Sequence, residues 1–174
     1  MENKFELTDN FIINAFGVKL FQIKCTKSFK YAKEGDLGGY VEKDENLDQE
    51  SDAWVYGNAW VYGNARVSGN AEVSGNARVY GNAEVYGNAW VSGNAEIDNN
   101  NKHCGFDCFG SANRHTHAYL TKENKVEITC GCFRGSIEEF EKRVEETHSG
   151  TIYEKQYKAI IDVIKIKFGL TDLI

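Results

Sequence analysis

Sulfur and imidazole gather in one stretch of this 174-residue chain: His103, Cys104, Cys108, His115, His117, Cys130 and Cys132. Zinc takes four nitrogen or sulfur ligands, commonly from two paired segments. Cys104-x3-Cys108 together with Cys130-x-Cys132 supplies two such pairs, so Cys104, Cys108, Cys130 and Cys132 are the candidate metal ligands. No cofactor other than this zinc is suggested. The two-pair Cys-x2-Cys spacing is absent, and buried free thiols are the competing reading. Cys130 or Cys132 beside His115, His117 or His148 is a possible nucleophile and base, provided the fold brings them within hydrogen-bond reach. Ser111, Arg114, His115 and Thr116 follow a Gly110 turn. With Arg134 they form a candidate pocket for a nucleotide or similar anion, which arginine can grip in a bidentate manner.

Composition narrows the classes of function. A net charge of −6 and a pI near 5.3 argue against a nucleic-acid backbone binder, which needs clustered Lys and Arg. They leave room for a basic protein partner. No apolar run approaches the roughly 18–20 residues needed to span a bilayer, and Met1–Phe5 lacks a signal-peptide core. A cytoplasmic protein with reduced thiols is therefore expected.

The elements that must position these residues are dominated by a repeat. Alanine recurs every six residues from Ala53 to Ala95, followed two positions later by Val55 through Val91 and finally Ile97. Gly-Asn separates the units from Gly57-Asn58 to Gly93-Asn94. Residues spaced by two on a strand share a face, so Ala and Val point inward together. Gly and Asn tolerate left-handed backbone, which places the corners there. Three such faces make an 18-residue triangular coil, and coils stack about 4.8 Å apart through parallel hydrogen bonds. The expected fold is mainly β: a short left-handed parallel β-helix with an N-terminal β cap and a C-terminal ββαα module.

Wrapping the outward positions at period 18 stacks Trp54, Glu72 and Trp90 on one face. Trp60, Arg78 and Glu96 stack on the next, and Arg66 with Glu84 on the third. Tyr56, Tyr62, Tyr80 and Tyr86 form a second outward series. Exposed aromatics at this density, interleaved with Glu72, Glu84 and Glu96, read as a protein-binding or oligomer face.

Three regions follow: a hairpin cap over 1–40, the β-helix over 41–98, and the α+β module over 99–174. In the cap, Phe5–Leu7, Ile12–Phe16 and Leu20–Cys25 read as strands. Val41 and Leu47 read as a first, degenerate coil. The eight residues from Leu47 to Val55 imply a two-residue slip before the regular array. Beyond the polar break at 98–102, Ala118–Thr121 and Val126–Phe133 read as a hairpin. Ser136 with Glu139 is a capping box ahead of one helix, and Tyr153–Phe168 is a second.

Gly35-Asp-Leu-Gly-Gly-Tyr-Val-Glu-Lys, Glu45-Asn-Leu and the Ala-x-Val-Tyr/Ser-Gly-Asn array together resemble hexapeptide-repeat proteins encoded by bacteriophages and prophages. The tail, with Gly110-Ser, Cys130-Gly-Cys-Phe, Glu139-Phe and Thr147-His, resembles the C-terminal module found on many of them. The resemblance implies a left-handed β-helix and carries no assigned reaction. Hexapeptide acyltransferases use a histidine base between long β-helices; here all four histidines lie outside the repeats. The expectation is a non-catalytic phage-type interaction protein that binds and inhibits a host macromolecule, such as an antiviral-defence component of the CRISPR type. The rival readings are a nucleotide-sequestering protein and an acyltransferase-like enzyme. The expected partner is a protein, with a nucleic-acid-binding host complex and a second copy of the chain as candidates, and neither membrane nor direct nucleic acid involved.

Overall fold

The computed structural model describes residues 3–171. The chain divides into two compact units, residues 1–100 and 101–174.

The first unit begins with an antiparallel hairpin, β1 (Phe5–Ile13) and β2 (Lys19–Cys25), which pairs on to β3 (Leu37–Val41). The two expected strands at Phe5–Leu7 and Ile12–Phe16 are one strand with a bulge between Leu7 and Phe11. Within the bulge the Thr8 hydroxyl donates to the Gln22 carbonyl at 2.9 Å. Eight two-residue strands follow: β4 (Trp54–Val55), β5 (Trp60–Val61), β6 (Arg66–Val67), β7 (Glu72–Val73), β8 (Arg78–Val79), β9 (Glu84–Val85), β10 (Trp90–Val91) and β11 (Glu96–Ile97). They form a β-solenoid of about three turns. Its three parallel stacks are β4-β7-β10, β3-β5-β8-β11 and β6-β9. Each rung pairs with the residue 18 positions on, as Trp54↔Glu72↔Trp90 and Trp60↔Arg78↔Glu96 show.

The core is the expected one. The inward Ala and Val positions from Ala53 to Ile97 are 0–3% exposed. The Gly57–Gly93 corners all sit at positive φ, between 54° and 70°. Stacking leaves no room there: a Cβ on Gly69 would lie 2.9 Å from the Gly87 nitrogen.

The degenerate coil is also real. Val41 pairs with Val61, and Leu47 bridges Val67. That offset is 20 residues, two more than the regular 18, so the slip falls between Leu47 and Ala53. Such a slip leaves carbonyls that no neighbouring rung can satisfy. Lys4 satisfies them: its ammonium, buried in the first unit, donates to the carbonyls of Asp48 (2.6 Å), Ser51 (2.7 Å) and Ala53 (2.7 Å). Beside it the Gln49 side chain accepts from the Lys4 and Phe5 amides and donates to the Phe5 carbonyl, standing in for a missing strand. Asn46, also buried, donates to the carbonyls of Gly63 and Ala65 and ties the first coil to the second.

The second unit holds a four-stranded antiparallel sheet, β12 (His103–Phe109), β13 (Arg114–Leu120), β14 (Val126–Cys130) and β15 (Phe133–Gly135), followed by α1 (Ile137–His148) and α2 (Ile152–Lys167). Two strands thus join the expected hairpin. β12 is hard to read because Gly105, Asp107 and a bulge interrupt its alternation; pairing to β13 orders it. Ser136 caps α1 with its capping box formed, and Thr151 caps α2. Ile137, Phe140 and Val144 of α1, with Tyr157, Ile160, Ile161 and Ile164 of α2, cover Ala118, Ile128 and Cys130 of the sheet. Among the described residues, no helix is long and apolar enough to cross a membrane.

Candidate functional site

The outward ladders of the solenoid stack as the period requires, but they are not equally open. Trp54 is 1% exposed: Phe5 and Phe29 pack edge-on against it, with ring centroids 6.4 and 5.4 Å away. It is therefore removed from the expected interaction surface, because the N-terminal cap folds over the top of that face. Tyr62 is also buried, lying parallel to Tyr80 with centroids 5.0 Å apart. Arg78 spreads over the Trp60 ring at 4.4 Å, a cation–π contact. The Tyr80 hydroxyl donates to Glu96 at 3.0 Å, and burial together with that carboxylate raises its pKa. Tyr56 donates to the Tyr31 carbonyl and Trp90 to the Ser74 hydroxyl. Glu72 is half-buried between Trp54 and Trp90. Most of the ladder residues therefore spend their polar atoms on each other.

The third face differs. Arg66 and Glu84 are exposed register neighbours, and Tyr86, two residues further on, is 63% exposed. Arg66 also borders a groove of about 500 Å³ lined by Lys43, Asp44, Glu45, Asp48 and Glu50 of the first coil. This is the open side of the solenoid.

In the second unit, strand alternation separates the candidate residues. Cys104 and Cys130 face the helices, but their register partners are Ala118 and Thr116, so they are displaced along the sheet from each other. Cys108 lies in the β12 bulge at φ 63°, and Cys132 follows the Gly131 turn; both are exposed. The four sulfurs do not form a tetrad. Among the described residues no group of three or more His, Cys, Asp or Glu side chains could hold a metal ion. Burial pushes the Cys104 thiol up to about 11, away from the thiolate a metal or a nucleophilic role requires. Cys130 accepts from the Thr116 hydroxyl at 3.3 Å and lies 3.8 Å from the Tyr157 hydroxyl.

His115 and His117 occupy the opposite face of β13 from Thr116, and hence from Cys130, so they cannot serve that thiol as a base. His148 stacks on Tyr157 with centroids 5.5 Å apart. His117 approaches His103 nitrogen to nitrogen at 3.0 Å. His115 pairs with Asp107 at 2.7 Å, and its Nε2 is buried without a hydrogen-bond partner. Burial, with a smaller push from Lys167, lowers His103 to about 4, so it is neutral near pH 7. The anion-binding set is likewise scattered. Arg134 is bound to Glu127 at 2.6 and 3.3 Å, Thr116 points to the core, and His115 lies on the other side of the sheet. Ser111 and Arg114 are exposed at the far end of the β12–β13 turn.

Two groupings escaped sequence reasoning. The His103/His117 and His115/Asp107 pairs were available from the alternation His115-x-His117-x-Tyr119, once β12 was known to be a strand. Lys4 carried no signal beyond its place ahead of Phe5.

Residues 53–69, 59–75 and 71–85 match the family described as YdcK beta solenoid repeat. The chain is thus similar to that family across its central coils. No curated protein matches it.

Proposed function

We propose that this chain is a non-catalytic interaction protein that presents the open third face of its solenoid to a protein partner. The carrying observation is that face itself: Arg66, Glu84 and the 63%-exposed Tyr86 on a rigid ladder, adjoining the acidic groove at 43–50. Exposed tyrosine beside charge suits a recognition hot spot, and a net charge of −6 favours a basic partner surface. The resemblance to phage-encoded repeat proteins makes a host antiviral-defence complex with a basic nucleic-acid channel the first partner to test. Dispersal of the sulfur and imidazole groups over both faces of the second unit's sheet favours binding over catalysis.

A photo-crosslinking residue at position 86 tests this in cells of the natural host. The expected outcome is one crosslinked partner, with capture lost in Arg66→Glu or Tyr86→Asp and kept in Tyr62→Phe. Capture that survives both third-face substitutions would refute the assignment.

A further inference from the structure

We propose that the outer face of α2 is a two-fold contact between two copies of this chain, with the helices side by side and parallel. One face of α2 is spent on the sheet through Tyr157, Ile160, Ile161 and Ile164. Nearly opposite, a second apolar stripe faces solvent: Ile152 (62% exposed), Val163 (49%), Ile166 (66%) and Leu170 (55%), with Ala159 among them. Leu170 lies just past α2, held by its amide on the Lys165 carbonyl at 2.8 Å. Within the helix the spacing 159-163-166 alternates four and three, as in the seam of a two-helix coiled coil, and Leu170, turned back past the positive-φ Gly169, adds apolar area at its end.

Charge identifies the occupant. Farther round the helix from the stripe, Lys158 already binds Glu154 and Lys165 binds Glu141. Asp162 and Lys167 flank the seam on opposite sides, about 140° apart around the helix, so they cannot reach each other within one chain. In a parallel pair they occupy the positions, five residues apart, that meet across the seam. Asp162 of each copy then faces Lys167 of the other, and the two-fold makes the pair twice. A seam this short buries less than the ~1,200 Å² of a stable specific interface, so the dimer is weak and concentration-dependent. This proposal is independent of the solenoid's partner.

Sedimentation equilibrium of the full chain over a concentration series tests it. The wild type is expected to move from one-copy to two-copy mass, whereas Ile166→Glu, at a site exposed enough to leave the fold intact, stays at one copy. Asp162→Lys should raise the dissociation constant by about tenfold, and adding Lys167→Asp should restore it. One-copy mass at every concentration, or self-association that Ile166→Glu and Val163→Glu leave untouched, overturns the proposal. So does one-copy chain that sediments with anionic lipid vesicles through Ile166, which would assign the stripe to a membrane surface.

Discussion

The regular coils and the C-terminal module reach a packed interior by opposite means. In the coils, each six-residue unit buries one Ala and one Val or Ile and sends its backbone bonds to the unit 18 residues on. No single side chain matters much, and every contact is shared only with adjacent rungs. In the module, a few large residues, Phe140, Tyr157, Ile160, Ile161 and Ile164, close two helices over four strands. Energy is therefore spread thinly in the first region and concentrated in the second. The entry coil is the exception that clarifies the rule: where the repeat slips, one charged side chain, Lys4, replaces the missing rung.

Perturbations graded by this contrast should separate the regions. Phe140→Ala removes a ring packed on Phe133 and Tyr157 and should cost about 4 kcal/mol. Urea unfolding followed by far-ultraviolet circular dichroism measures it; a loss below about 1 kcal/mol would deny that the module's core is concentrated there. Lys4→Met should cost about 3 kcal/mol, because three carbonyls, that of Ala53 buried and those of Asp48 and Ser51 partly so, lose a charged donor. Trp54 lies under the same cap, so its fluorescence should report this transition. If Lys4→Met unfolds like the wild type, the lysine does not stand in for a rung. Val73→Ala, in the middle of the array, should cost about 2 kcal/mol, with neighbouring rungs relaxing into the gap.

Acid supplies a further contrast. His103 is held near 4 in the folded chain against an ordinary 6.5, chiefly by burial. Between those values the unfolded chain binds a proton that the folded chain refuses, so unfolding is favoured as pH falls. Stability should be level above about pH 7 and decline from about 6.5 toward 4, by on the order of 2 kcal/mol from this group. His103→Gln should flatten that slope, and an unchanged profile would remove His103 as its cause. Smallest of all, Arg78→Ala should cost about 0.5 kcal/mol, the worth of a half-buried cation–π contact on Trp60.

The solenoid was legible because its period states the register outright: Ala53 to Ile97, the Gly-Asn corners and the 18-residue stacks all follow from spacing. Even the slip before Val55 was visible as a count. Openness was not. Trp54 and Tyr86 both occupy outward sites of the repeat, yet one is 1% and the other 63% exposed, because Phe5 and Phe29 reach the first from far along the chain. In the module the site residues misled for a related reason. Cys104, Cys130 and His117 are close in number and type, but their faces depend on pairing between strands that carry no repeat.

By itself, then, the order of residues determined the coil, its inward core, its corners and its helix caps, all of which depend on neighbours at fixed short separations. Tertiary structure alone decided which aromatics stay in solvent, that the cysteines part, and that Lys4 closes the entry coil. Those outcomes rest on contacts between distant segments, whose geometry no local period encodes.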